Sequence, residues 1–325
     1  YLTISDVVMF RGILHCALAY RCDNVVIRGK VARTHSMPCG AFRGFGAPQA
    51  IWGIESHIDA VAAHLSRAPH EYRQQIHIRP GDSTPTGQIL SAENGSTTCL
   101  KQALQRADFA RKWRQSSQGK LRKGQQKLYG VGLAFLGHGS AFTGDGEAKF
   151  KAKGRVELAT FANGKPGVNI RVSSTEMGQG VHTIFTQIAA DALSLAPEHI
   201  RFPLADTAFV PNSGPTVASR TTMVVGNVVY RAAQDLKQQI EAFAAQHFFR
   251  GAAATLKDSQ LVAKGARPVP FAKVAQAMLK EIGGASGSFQ FNLPDSIRWD
   301  QTTFKGDSYP GYSWMANIAE VEIDP

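Results

Sequence analysis

Three glycine-bearing loops carry the spacing most relevant to chemistry in this chain: Gly40-Ala-Phe-Arg-Gly-Phe-Gly46, Met177-Gly-Gln-Gly180 and Val210-Pro-Asn-Ser-Gly-Pro-Thr-Val-Ala-Ser219. Each runs into an expected helix start. Residues without a β-carbon let a ligand approach the backbone, and helix N-termini present free N–H groups to anions. Three such elements suit a large anionic cofactor held mainly by main chain; on glycine pattern alone they equally suit three tight turns. None has the dinucleotide spacing G-x-G-x-x-G after a strand, or the P-loop spacing G-x-x-x-x-G-K-[ST]. Phe45 in Gly44-Phe-Gly46 and Phe142 in Gly139-Ser-Ala-Phe-Thr-Gly144 have few local partners. Such rings pack into a core or onto a flat ligand.

Other chemistries lack their residues. The ten histidines include no H-x-x-H or H-E-x-x-H pair, so zinc hydrolysis has no support. His138 and His182 are open to structural or functional roles. Glu147 and Glu176 stand without a visible acidic pair, against a glycosidase dyad, and no G-x-S-x-G elbow is present for acyl transfer. Cys16, Cys22, Cys39 and Cys99 lack C-x-x-C spacing and are expected to be buried free thiols, so any redox cluster belongs on another chain.

The elements that must position these loops are readable in outline. The 325 residues suffice for two domains, and a 43% hydrophobic, 19% charged composition is globular. No run reaches the roughly 20 apolar residues of a membrane span and no signal-like segment opens the chain, so a cytoplasmic protein without a membrane partner is expected. Much of the net charge of +11 collects between Arg106 and Lys127, with a single tryptophan there. Without interleaved aromatics this reads as a solvated, partly helical face, not a nucleic-acid platform. Apolar spacing predicts helices over 5–20, 49–65 and 181–193, and a long one through Val224–Phe243. Residues 24–33 read as one strand broken at Gly29, and 317–325 as another; opening on Tyr1 and stopping there, the chain is expected to be a truncated or split product. Val156, Leu158 and Thr160, then Asn163-Gly164, then Val168, Ile170 and Val172 predict a β-hairpin. The sum is α+β, mixed β-sheets with packed helices, with a first unit over 1–125 and a second over 126–325.

Taken together, Ala41-Phe-Arg-Gly-Phe-Gly-Ala-Pro-Gln49, Thr175-Glu-Met-Gly-Gln-Gly180 and Val210–Ser219, in this order, closely resemble the molybdopterin-binding large subunit of the xanthine dehydrogenase and aldehyde oxidase family. The resemblance runs from Asp6 to Asp324. It implies molybdenum-cofactor-binding domains of the xanthine dehydrogenase type and a metal held on a pyranopterin, with no direct protein ligand. It also implies hydroxylation with oxygen taken from water, and electrons leaving through 2Fe-2S clusters to FAD on partner chains. A cytosine dinucleotide form of the cofactor and a second molybdopterin-binding chain remain open.

By the same resemblance, Arg43 and Gly44 set backbone beside molybdenum, Phe45 and Phe142 sandwich an aromatic substrate, and Thr143 contacts it. Gln179 bonds the cofactor, with Gly178 and Gly180 permitting close approach. Val217 and Ala218 form the small-residue step at the metal, and Ser219 and Thr221 donate to pterin or phosphate. Arg11 precedes Arg43 by 32 residues, the family's interval for an arginine that stabilises negative charge on a purine oxygen; a surface arginine on an amphipathic helix is the plain alternative. The family's upstream glycine loop, the glutamine above the metal and the base glutamate of G-E-P have no counterpart, so the chain alone is not expected to turn over. The expected substrate is an N-heterocycle of the xanthine or hypoxanthine kind; the alternatives are an aldehyde or nicotinate-type hydroxylase, or an inactive remnant or assembly module.

Overall fold

A computed structural model describes residues 4–37, 40–116 and 126–324. The chain forms two compact units, one of Tyr1–Gly144 with Ser296–Pro325, the other of Asp145–Asp295. The expected boundary at 125/126 adjoins a stretch outside the described residues. The units part later because the strand at 128–139 takes its ladder partner from 312–323, which returns the C-terminal residues to the first unit.

The first unit opens with helices α1 (Ser5–Cys16), α2 (Ala47–His64), α3 (Pro69–Ile76), α4 (Ser96–Arg106) and α5 (Phe109–Gln115), then strand β1 (Leu128–Gly139). α1 is shorter than its spacing predicts. The expected strand at 24–33 does not form: Gly29 lies against Met9 and Ile13 of α1, so this segment packs on a helix and finds no ladder. α2 starts slightly before its expected place, directly after Gly46. A β-carbon at Gly46 would sit 2.1 Å from the Val8 carbonyl oxygen, so glycine is what lets α1 and α2 touch.

The second unit contains β2 (Lys153–Thr160), β3 (Pro166–Arg171), α6 (Val181–Leu193), β4 (Ile200–Arg201), α7 (Gly226–Phe248), β5 (Ala254–Lys257), β6 (Gln260–Ala263), β7 (Val269–Pro270), α8 (Phe271–Glu281) and β8 (Ser286–Gln290). Its main sheet runs β4-β3-β2-β8, with β3–β4 parallel and the other pairs antiparallel. The hairpin forms as its alternation predicts: Phe161 N donates to Lys165 O at 2.9 Å, and Gly164 turns the chain at φ 76°. α7 is buried along Val228, Val229, Ala232, Leu236, Ile240 and Phe243, each larger aliphatic or aromatic among them contributing about 1.5–3 kcal/mol. It lies so close to β8 that a β-carbon at Gly287 would meet Ala232 O at 2.0 Å. A π-helical turn at Thr221–Val225 precedes α7.

The chain then returns to the first unit with β9 (Trp299–Asp300), β10 (Lys305–Gly306) and β11 (Tyr312–Ile323). β11 pairs antiparallel with β1 along its whole length, Leu128 opposite Ile323 and Gly139 opposite Tyr312. This ribbon packs Val131, Leu133, Phe135, Trp314 and Ile318 against Tyr20, Ile58, Leu100, Leu104 and Phe109. Beneath it, buried Glu55 accepts from Arg73 Nη2 at 3.0 Å and from the Phe135 amide at 2.8 Å. Tyr20 OH donates to the same carboxylate. Among the described residues Cys16, Cys22 and Cys99 are free, and none is fully buried as expected: Cys16 and Cys99 are half-buried, and Cys22 is exposed in the loop after Tyr20. Cys39 and residues 117–125 of the basic stretch lie outside the described residues.

Candidate functional site

In the first unit the loop after β1 collects residues distant in sequence. Arg11 is buried in α1 and donates from Nη1 to the Ala141 carbonyl at 3.0 Å and from Nη2 to the Gly139 carbonyl. Its guanidinium lies 4.9 Å from the ring centre of buried Tyr309, and its Nε has no partner among the described residues. One helical turn on, His15 Nε2 accepts the Gly139 amide hydrogen at 2.9 Å, which fixes the ring proton on Nδ1, donated to Arg11 O at 2.7 Å. Burial pushes the His15 imidazole down to about 3, so it is neutral. The His138 ring lies tilted against His15, 4.9 Å between centres, and hydrogen-bonds the main chain of Gly44, drawing the 40–46 loop to the same cluster.

The glycines around Phe142 have packing causes that the sequence does not disclose. A β-carbon at Gly139 would strike the Tyr309 ring at 2.1 Å, and one at Gly144 the Trp299 ring at 2.2 Å. Phe142 and Thr143 are half-buried, and Thr143 Oγ1 donates to Tyr309 OH at 3.2 Å. Phe45 is also half-buried and adopts φ 55° between Gly44 (93°) and Gly46 (94°), while Arg43 is exposed. Left-handed backbone at a phenylalanine costs about 1–3 kcal/mol and persists only where its surroundings impose it. The first unit thus brings Arg11, Gly44 and the 139–143 loop into one buried network.

In the second unit the two remaining loops are bonded to each other. Ser173 N donates to Ser213 Oγ at 2.9 Å, Ser213 N to Ser173 Oγ at 2.8 Å, and Thr175 N to Thr216 Oγ1 at 3.1 Å. Gly178, Gln179, Val217 and Ser219 are exposed, Gly180, Ala218 and Thr221 half-buried. Ala218 (φ 57°) and Ser219 (φ 53°) are consecutive left-handed residues. The expected free N–H groups at the α6 start are not free: the Glu176 carboxylate accepts from Gly178 N (2.8 Å), Gly180 N (2.9 Å) and His182 N (3.1 Å). Those amides, Gly180 first, hold the Glu176 carboxyl below the usual range. Gln179 likewise serves its own loop, accepting from Met177 N at 2.5 Å and donating to Thr175 O at 2.7 Å.

Gly178 and Gly180 test whether this unit fits a bulky ligand. Both have positive φ, and a β-carbon at either would meet nothing within 4 Å. Their bare backbone faces open space, unlike Gly44 and Gly46, whose space Pro48 and Val8 fill. Among the described residues no group of three or more His, Cys, Asp or Glu side chains is arranged to hold a metal ion. The space beside Gly178 and Gly180 would admit a large organic group.

A family profile described as "Molybdopterin cofactor-binding domain" matches residues 102–325, and a second of the same description matches residues 1–76. This chain belongs to the molybdopterin cofactor-binding family. Within it, the molybdopterin-binding chain is 27% identical over 322 residues to a xanthine dehydrogenase of Emericella nidulans, covering 99% of this chain and 22% of that protein. It is 29% identical over 246 residues to a probable xanthine dehydrogenase subunit from Bacillus subtilis, covering 76% of this chain and 31% of that one. The fold matches an aldehyde oxidoreductase from Desulfovibrio gigas at a TM-score of 0.70 and 23% identity, over 100% of this chain and 32% of that chain. The chain therefore spans about a fifth of the Emericella relative's length. The α+β class and the family resemblance agree with these matches, and the family is one of molybdenum oxidoreductases. Among the described residues no helix is long and apolar enough to cross a membrane.

Sequence reasoning missed several supporting residues. Glu147, for which the sequence shows no acidic partner, binds Arg220, 73 residues on, with Nε 3.0 Å from each carboxylate oxygen. His15 and Tyr309 carry no motif at all; only the burial of α1 against the end of β1 reveals them.

Proposed function

We propose that this chain is the molybdenum-cofactor portion of a hydroxylase that oxidises an N-heterocycle of the xanthine or hypoxanthine kind, its electrons passing to 2Fe-2S clusters and FAD on partner chains. When bound, the cofactor supplies a two-electron oxidation with water as the oxygen source. The observation carrying the substrate reading is the tie between Arg11 and the Phe142 loop: its guanidinium is bonded to the carbonyls of Gly139 and Ala141, in the same loop as half-buried Phe142 and Thr143.

In this reading Phe45 and Phe142 grip a planar ring by stacking and edge contact. Thr143, its rotamer set by Tyr309, contacts the substrate, and Arg11 stabilises negative charge developing on an oxo substituent. Gly178, Gln179 and Gly180, with Val217, Ala218, Ser219 and Thr221, hold the cofactor, and the main chain of Arg43 and Gly44 adjoins its metal. The residue ranges 1–125 and 126–325 serve as first and second cofactor-binding portions. The proton-accepting carboxylate of the reaction comes from outside the motifs of this chain. An aldehyde substrate is the second reading, favoured because two Arg11 donors are already engaged by carbonyls.

The test is molybdenum and pterin analysis of the complex purified with its partner chains, followed by turnover of hypoxanthine, nicotinate and aldehydes. Stoichiometric molybdenum with purine turnover is expected. An active complex free of molybdenum overturns the proposal, and activity confined to aldehydes replaces it by the second reading.

A further inference from the structure

We propose that Arg220, clamped by Glu147, is a positioning residue that fixes both cofactor loops of the second unit; the inference rests on reading those loops as cofactor-binding. Both side chains are almost wholly buried, at 0% and 1% exposure. The pair accounts for only part of the guanidinium's bonding. Nη1 reaches the other way, donating to Ser213 O at 2.9 Å and Pro215 O at 3.0 Å. Gly214, between those carbonyls, lacks the β-carbon that would stand 3.0 Å from both terminal nitrogens, so the loop wraps directly around the guanidinium. Phe150 closes the far side, its ring centre 5.7 Å away.

Two consequences follow from where these bonds lie. Arg220 directly follows the consecutive left-handed residues Ala218 and Ser219, and Arg220 N donates to Val217 O at 3.3 Å. Such backbone is kept only when something on either side over-determines it; here the same residue anchors the loop at 213–215 and at 217–220. Ser213 and Thr216 in turn hold Ser173 and Thr175, at the entry to the 177–180 loop. One buried ion pair therefore sets the shape of two loops, the first directly and the second through Ser213 and Thr216. A planar fork can serve two carbonyls and a carboxylate at once, whereas a lysine ammonium cannot span them.

The experiment compares wild type, Arg220→Met, Arg220→Lys and the double variant Glu147→Leu/Arg220→Met, each purified as the full complex. Readouts are melting temperature, molybdenum and pterin per chain, and amide hydrogen exchange. Arg220→Met takes from buried Glu147 its ion-pair partner and is expected to lower the melting temperature by roughly 10 °C. The double variant removes both charges and is expected to melt within a few degrees of wild type, yet to exchange amides 213–219 at least about tenfold faster, with α7 unchanged, and to lose most molybdenum and pterin. Arg220→Lys keeps the charge pair and is expected to show the same loop exchange, which decides the matter if the double variant folds poorly. Wild-type exchange at 213–219 in Arg220→Lys, or in a stable double variant, overturns the inference. A wild-type complex without molybdenum or pterin instead overturns the proposed function, and leaves loop exchange as the test of the clamp.

Discussion

The guanidinium of Arg11 donates to the carbonyl oxygen of Ala141, 130 residues further along the chain, at 3.0 Å. Ala141 is itself left-handed at φ 70° and fully buried, so the arginine fixes the loop immediately before Phe142.

Arg11→Met is therefore expected to act twice. It removes a positive charge near the proposed oxo substituent and releases the loop bearing Phe142. Purine turnover should fall on the order of 100-fold, aldehyde turnover far less, as measured by kcat/KM on both substrates. Equal losses would make Arg11 a loop anchor alone.

His15 gives the stability of the first unit a pH dependence. Its folded value of about 3 lies below the unfolded value near 6.5, so the unfolded chain binds more protons between those limits. Stability is fully present above about 6.5 and is lost as pH falls from there towards 3, by about 1.4 kcal/mol per pH unit. Thermal melts from pH 7 to 5 should show this slope in wild type and a shallower one in His15→Gln. Parallel slopes would mean that the imidazole is not held neutral.

Two glycine substitutions should separate packing from ligand access. Gly46→Ala drives a β-carbon into the Val8 carbonyl, costing on the order of 3 kcal/mol through the contact between α1 and α2. Gly178→Ala meets nothing within 4 Å, so only its left-handed backbone costs, about 1 kcal/mol, yet bound molybdenum is expected to fall at least about tenfold. Full cofactor content in Gly178→Ala would show that no ligand covers that backbone.

The pair beneath the β1–β11 ribbon is purely structural in this account. Glu55→Ala takes from fully buried Arg73 its buried carboxylate partner and leaves it the half-exposed Asp59, with an expected loss of about 3–5 kcal/mol. Urea unfolding should report that loss, while molybdenum per folded chain stays constant.

The elements were legible where apolar spacing alone decides them: α2, α6, α7 and the hairpin of β2 and β3 follow from residues that bury one face. The strand expected at 24–33 was not, because its partner is α1 and spacing does not name partners. The loops were visible as glycine runs, but glycine serves three different ends here. It makes room for a helix at Gly46, for aromatic rings at Gly139 and Gly144, and for open backbone at Gly178. Only contacts tell the three apart. Glu147 looked solitary because its partner is a cation 73 residues away, where a search for acidic pairs cannot find it.

The ladder between β1 and β11 also orders events during synthesis. Leu128 pairs with Ile323, so the first unit's longest sheet cannot close until nearly two hundred further residues have left the ribosome. Asp145–Asp295 emerges whole in that interval, with every strand of its own sheet already available. Translation thus offers the inserted half a head start, while the half that flanks it in sequence waits with an unpaired strand edge until the last segment arrives.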